Sequence, residues 1–325
     1  MQCVPGDSTL VVMSVNDLEF SRRLAAGVLL LDGAMASELE RLGWPVDGDP
    51  LWSARALLEA PQLVRQVHRA YLEAGADVIT SAGYQVSFEG FEAQGLGREA
   101  AEECLLLATR LALEERDRFV AEHRLCDRPL VAASMGPWGA VLADGSEYRG
   151  DYRVGVEALA DFHLRRLEVV VRGAPDILAF ETFPSGPEAE ALARVLEQMP
   201  DTECWVSFSC PTGVLLADGS ALDRAMGDLV ELPAVVAVGV NCCPPGRITP
   251  LLRSVQGIDL PKVAYPNSGE LRHASSGSWG QASKDPEPMT RSLERWSNLG
   301  ARLIGGCCRT GPALTRRLRD VLGPR

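Results

Sequence analysis

Eight times along this chain a short, mainly apolar run is followed by a segment of helical periodicity. That repetition limits the fold more than any other feature. The runs occupy residues 28–31, 76–80, 130–134, 176–181, 204–208, 235–240, 262–265 and 302–304. Apolar stretches this short, bounded by turn residues, read as strands buried on both faces. Between them lie amphipathic segments. The plainest is 61–75, in which Leu63, Val64, Val67, Tyr71 and Ala74 share a face between Pro61 at the start and Gly75 at the end. Further helices are expected at 98–119, 154–172, 187–198, 222–229, 247–256, 288–298 and 312–321, and a short one at 16–26, capped by Asn16, precedes the first strand. Eight strand–helix units predict one α/β domain over 1–325, a (β/α)8 TIM barrel with long βα loops on its active face and a loosely ordered stretch over 1–15. A doubly wound sheet would need a glycine-rich phosphate loop. No G-x-G-x-x-G follows the first strand, and no Walker A sequence occurs.

Composition narrows the function classes. A formal charge of −12 argues against nucleic acid and anionic membranes, which demand a basic surface. No apolar run approaches the ~20 residues that span a bilayer. The first fifteen residues lack the basic and apolar regions of a secretion signal. Nine cysteines in 325 residues are too sparse for a disulfide scaffold, so a cytoplasmic protein with reduced thiols is expected.

In a parallel barrel the chemistry belongs at the C-terminal ends of the strands. Those ends read Asp32-Gly33, Ser81-Ala82-Gly83-Tyr84, Ser134 to Trp138, Glu181-Thr182, Asn241-Cys242-Cys243, Asn267-Ser268 and Cys307-Cys308. The opposite turns, at Gly27, Gly75, Gly173 and Gly300, are bland. This asymmetry points to an enzyme. Adjacent cysteines form only a strained disulfide with each other. Two such thiolates joined by a third from the 242–243 pair, with one position left open, describe a catalytic zinc site. Strand alternation aims Cys243 away from Cys242.

The same residues carry a resemblance that runs nearly end to end. Leu31-Asp32-Gly33-Ala34, Leu51-Trp52-Ser53-Ala54, the run from Leu142 to Tyr152, Gly239-Val240-Asn241-Cys242, Tyr265-Pro266-Asn267-Ser268-Gly269-Glu270 and Gly305-Gly306-Cys307-Cys308-Arg309-Thr310 resemble the homocysteine S-methyltransferases that use S-methylmethionine or S-adenosylmethionine. The resemblance implies that Cys242, Cys307 and Cys308 hold zinc and that the homocysteine thiol completes the tetrahedron. That thiolate then attacks the methyl carbon of a sulfonium, giving methionine and a neutral thioether. Zinc, three thiolates and the substrate thiolate sum to −2, which attracts a cationic donor. The resemblance also assigns Glu181 to the substrate's α-amino group and places Asp32 and Gly33 beside the amino acid. Asn241 and Asn267 belong to the same matching motifs and are expected to contact substrate. Trp138 and Tyr84 are placed to meet the sulfonium through cation–π contact. Ser81 is the expected hydroxyl for the carboxylate, but Gly83 stands where relatives usually have serine and cannot donate.

Each assignment has a plainer competitor: loop packing for Trp138, a helix cap for Glu181, a simple turn for Asp32-Gly33 and a solvated loop for 144–151. Cys3, Cys104, Cys126, Cys204 and Cys210 read as inert, His163 as a packed core residue, and His68, His123 and His273 show no metal spacing. A thiol redox or metal-buffering protein on the same scaffold is the alternative of a different class, separated from the first by zinc content. Within the family reading, betaine as donor or a selenol as acceptor stay open. Cobalamin-dependent relatives need modules for which 325 residues leave no room, and betaine-using relatives carry a C-terminal oligomerisation arm. The chain runs only to Arg325, so a monomer is expected.

Overall fold

The computed structural model describes residues 19–46, 48–125, 127–272, 279–282 and 289–324. Asn16, Cys3, Cys126, His273 and the 1–15 stretch lie outside them. Eight strands form one parallel sheet: β1 (Leu29–Leu30), β2 (Val78–Thr80), β3 (Leu130–Met135), β4 (Ile177–Phe183), β5 (Cys204–Phe208), β6 (Val235–Asn241), β7 (Lys262–Tyr265) and, after a ribbon of β8 (Glu270–Arg272) and β9 (Trp279–Ala282), β10 (Ala301–Ile304). Each strand pairs with its neighbour in sequence, and β10 pairs with both β7 and β1. The ring closes between β1 and β2 through the bridge of Leu31 with Val78, reinforced by the Asp77 N–H to Leu30 carbonyl bond at 2.7 Å. This is the expected (β/α)8 barrel.

The helices are α1 (Glu19–Ala26), α2 (Met35–Arg41), α3 (Ala54–Glu59), α4 (Pro61–Glu73), α5 (Phe88–Ala93), α6 (Arg98–His123), α7 (Trp138–Val141), α8 (Val156–Val170), α9 (Gly186–Leu196), α10 (Leu222–Val230), α11 (Pro245–Ser254), α12 (Met289–Asn298) and α13 (Pro312–Leu322). Short α2, α3, α5 and α7 sit inside βα connections that sequence periodicity treats as loops. They hold too few turns to display a 3.6-residue pattern. None of the described helices is long and apolar enough to cross a membrane.

Strand alternation divides the core. Leu29, Leu31, Leu130, Ala132, Ile177, Ala179, Trp205, Ala237 and Leu303 face the barrel interior. Leu30, Val131, Ala133, Leu178, Phe180 and Val206 face the helices. Phe20 and Leu24 of α1 join the interior cluster, with the Phe20 ring stacked 6.2 Å from Trp205. The other end of the barrel is left for chemistry.

Candidate active site

The C-terminal ends of the strands surround one cavity. Three thiols occupy one side of it: the Sγ atoms of Cys242, Cys307 and Cys308 lie within 4.8 Å of one another, and those of Cys242 and Cys308 are 3.4 Å apart. Tetrahedral zinc with Zn–S bonds of about 2.3 Å sets sulfurs ~3.8 Å apart, so the donor set fits such an ion. The backbone holds the cysteines from several sides. The Cys242 N–H donates to Tyr265 O at 3.1 Å, the Cys307 N–H to Pro266 O at 2.8 Å, and Asn267 Nδ2 to Cys242 O at 3.1 Å. A Cβ on Gly306 would fall 2.2 Å from Thr310 Oγ1, and one on Gly305 would fall 2.6 Å from Leu31 Cβ. The two glycines therefore let the chain bearing Cys307 and Cys308 pass close to its neighbours. Contacts with Cys242 and Cys308, then burial, hold the Cys307 thiol well above its ordinary range. A divalent cation among the sulfurs reverses that preference.

Left-handed backbone at non-glycine residues gathers here. Trp52, Thr182, Cys242 and Arg309 have φ of 50°, 67°, 51° and 62°. The first three line the cavity and the fourth follows Cys308. Such conformations cost about 1–3 kcal/mol each and persist where surrounding contacts over-determine them, typically at functional sites.

Two buried carboxylates line the same cavity as the thiols. Asp32 accepts the Thr80 N–H at 2.7 Å and the Thr80 hydroxyl at 3.1 Å. Burial raises its pKa well above the carboxylate range against those hydrogen bonds, and the Glu181 charge adds to the rise. Glu181 accepts the Tyr265 hydroxyl at 2.9 Å and the Ser134 hydroxyl. Burial raises it also. Two buried carboxylates in one cavity are chemically suited to receive a cation such as an ammonium group.

Of the residues singled out in the sequence, Asp32, Gly33, Ser81, Tyr84, Glu181, Cys242, Cys307 and Cys308 line the cavity. Glu181 lies within β4, so it caps no helix. Ser81 Oγ accepts the Ser134 N–H at 3.1 Å and keeps its own proton to donate. Gly83 packs so that a Cβ would sit 2.9 Å from Ser134 O. Three residues do not reach the cavity wall. The Trp138 ring packs edge-on against Phe162 at 5.0 Å, because α7 turns it toward α8. Asn241 is fully buried behind the wall, accepting the Thr182 N–H at 2.9 Å and placing Nδ2 3.8 Å from Cys307 Sγ. Asn267 spends its amide on Cys242 O and the Gly269 N–H.

Cys243 points away from the thiol cluster and takes the Cys210 N–H at 3.2 Å. Cys104, Cys204 and Cys210 are buried in the apolar core. The cavity wall also contains Trp52, Glu147, Tyr148 and Tyr265, which sequence reasoning about roles passed over. The matching motifs at 51–54, 142–152 and 265–270 hold all four, and that was the available signal.

The segment 138–152 reaches the cavity because a buried clasp grips both of its ends. Glu188 of α9 accepts the Trp138 N–H at 2.5 Å and the Tyr152 hydroxyl, and its Oε1 lies 3.0 Å from His163 Nε2. Glu188 and His163 are wholly buried. Burial pushes the Glu188 carboxyl from 4.5 up to about 8 against the pull of the Trp138 N–H. Folding thus favours the protonated acid. Its contribution is complete below the unfolded value of 4.5 and is lost as pH rises toward about 8. His163, held neutral by burial, acts oppositely below pH 6.5. Thermal midpoints measured for wild type and Glu188→Gln between pH 5 and 8.5 are therefore expected to diverge. The variant, which has no proton to lose, gains a few degrees on wild type over that range (about 1.5 °C per kcal/mol at ~2.1 cal/mol/K of unfolding entropy per residue). A constant difference would show that Glu188 does not titrate there.

Known proteins resemble this chain over most of its length. The sequence profile described as Homocysteine S-methyltransferase matches residues 29–322. A homocysteine S-methyltransferase of Escherichia coli K12 is 44% identical over 287 residues, covering 88% of this chain and 92% of that protein. Homocysteine S-methyltransferase YbgG of Bacillus subtilis is 43% identical over 289 residues, covering 88% and 91%. The crystal structure of the metallated form of the E. coli homocysteine methyltransferase MmuM superposes with a TM-score of 0.83 at 41% identity, covering 94% of this chain and 99% of that one. Barrel, cysteine cluster and paired carboxylates thus occur in a chain similar over nearly its whole length to these enzymes, and it belongs to the homocysteine S-methyltransferase family.

Proposed function

We propose that this methyltransferase holds zinc on Cys242, Cys307 and Cys308 and methylates homocysteine from a sulfonium, S-methylmethionine first and S-adenosylmethionine second, to give methionine. The observation that supports this reading best is the meeting of three sulfurs from two distant stretches at one wall of the cavity. Bound zinc would supply a Lewis acid that keeps the acceptor thiol ionised at neutral pH, where a free thiol of pKa about 8.5 is mostly protonated.

The chain's own residues do the rest. Glu181, with Asp32 beside it, receives the α-ammonium group, and Ser81 offers its hydroxyl to the carboxylate. Tyr84 presents an aromatic ring to the cationic donor. The 138–152 segment, clasped by Glu188, covers the site and limits water. In the transfer itself a lone pair of the acceptor sulfur forms the bond to the methyl carbon. The carbon–sulfur bond of the sulfonium breaks, and its electron pair stays on the departing thioether. No proton moves in that step, which accords with a described cavity wall that contains no histidine or lysine.

The test is an assay of the zinc-loaded protein with homocysteine against S-methylmethionine, S-adenosylmethionine and betaine. Methionine is expected from a sulfonium and not from betaine. Formation from betaine alone, or from none of the three, would overturn the donor assignment.

A further inference from the structure

A buried guanidinium ties two strand ends together behind the cavity. Arg166 is wholly enclosed, on the face of α8 that also carries Leu159, Phe162, His163, Leu167 and Val170. Its Nη1 donates to Gly136 O at 2.8 Å and its Nη2 to Tyr84 O at 3.2 Å. The same group lies over the Phe162 ring, 4.7 Å from its centre, and Phe162 in turn meets Trp138. Neither hydrogen-bond partner is a carboxylate. Glu89, whose charge acts on Arg166, is bonded to Arg165 at 2.6 Å. Burial pushes the Arg166 pKa down to about 10, so the group stays charged at neutral pH. Burying a charge without a paired anion is costly. What the fold gains is a rigid planar fork that grips two carbonyls at once, which a lysine cannot reproduce.

Those carbonyls belong to the segments just past β2 and β3. Tyr84 O also accepts the Gly136 N–H at 3.0 Å, so both of its lone pairs are used. Gly136 meets the Tyr84 ring as well. A Cβ there would fall 2.7 Å from Tyr84 O and 2.8 and 2.9 Å from ring atoms Cε2 and Cδ2. One edge of the ring therefore rests on bare backbone that Arg166 holds. The far end of the side chain reaches the chemistry. Tyr84 lines the cavity, and its hydroxyl hydrogen-bonds with the Thr182 side chain and is subject to the charges of Glu147, Cys242 and Glu181.

We propose that Arg166 is a positioning residue for the methyl donor: its fork fixes the main chain at Tyr84 and Gly136 and so sets the place at which the Tyr84 ring meets the sulfonium. This rests on the reading of Tyr84 as the donor's aromatic partner and adds the residue that aims it. Arg166 does not line the cavity, so it acts through Tyr84. Cation–π attraction depends on where the cation sits over the ring. A displaced ring thus weakens donor binding and leaves the acceptor's contacts as they are.

Arg166→Lys retains the charge and loses the fork. The expected result is a KM for S-methylmethionine raised about 3- to 30-fold, the range for weakening a desolvated cation–π contact, with the homocysteine KM within about twofold and zinc retained. Arg166→Gln, smaller and uncharged, serves in its place should the buried lysine prevent folding. Gly136→Ala, which disturbs the ring contact without touching the buried charge, should act in the same direction. In a Tyr84→Leu background Arg166→Lys should add little, because residues that act as one unit are not additive. The second arm needs no turnover. Protein labelled with 3-fluorotyrosine gives a fluorine signal for each of its five tyrosines, and the Tyr84 signal is the one missing from Tyr84→Phe. It should move or broaden in the Arg166 variant and in Gly136→Ala, while those of Tyr71 and Tyr265 stay in place. A Tyr84 signal unmoved in both overturns the proposal. So do KM effects that multiply in the double variant, or KM values that rise equally for both substrates. A Tyr84 signal that moves, with a donor KM indifferent to Tyr84→Leu, refutes the aromatic contact with the donor and leaves Arg166 as the residue that places Tyr84.

Discussion

Cys308→Ala is expected to lose both its zinc and its turnover. The variant leaves Cys242 and Cys307 as the only thiols of the cluster. Two sulfurs hold a zinc ion far less firmly than three, and the acceptor thiol then has no cation to ionise against at neutral pH. Disturbing outer partners of a zinc ligand already costs ~10–100-fold in affinity or activity, and losing a ligand outright exceeds that range. Metal content per chain under reducing conditions, measured beside methionine formation, checks the expectation. The fold should survive, because Cys308 is only partly buried and its neighbours are held largely through the backbone. A variant that keeps one zinc and full activity would remove Cys308 from the site. A wild type that holds no zinc would favour the redox reading instead.

Glu181→Gln is expected to separate substrate binding from metal binding. In the proposed complex the α-ammonium group and Glu181 form a buried ion pair, supported by Ser134 and Tyr265. Truncating one partner of a buried, hydrogen-bonded charge pair costs about 2–5 kcal/mol. At 1.4 kcal/mol per decade that is ~30- to 4000-fold. The loss should fall on the KM for homocysteine, with zinc retained at one ion per chain. An unchanged homocysteine KM would move the ammonium site away from Glu181. The two variants fail in different observables, so together they locate the two ends of the acceptor.

The cysteine pattern was legible because the barrel makes it so. A strand that ends at Asn241 or Ile304 delivers its next residues to the same rim, wherever they lie along the chain. Asp32 and Glu181 follow the same rule. Trp138 obeyed it only in part. It stands just beyond β3, yet α7 turns its ring onto Phe162, and Trp52, from the connection after β1, lines the cavity instead. Asn241 and Asn267 stand at strand ends too, but their amides are used up holding Thr182 and Cys242 in place. Residue type and strand position predict proximity to a site. They do not say whether a side chain meets ligand or props up its neighbour.

The order of strands and helices, the inward and outward faces of the barrel and the rim on which the thiols stand were written in the chain itself. Each follows from a local period of two or 3.6 residues imposed by burial. The path of 138–152 was decided only by the folded molecule. Its direction depends on Glu188 gripping Trp138 and Tyr152, on Gly139 meeting the backbone of Glu147, and on Arg149 drawing Asp144 and Asp151 outward. Those contacts join residues far apart or arranged without period. A lid that turns one carboxylate inward and two outward therefore has no signature in sequence spacing, because tertiary packing, rather than local periodicity, sets its energy.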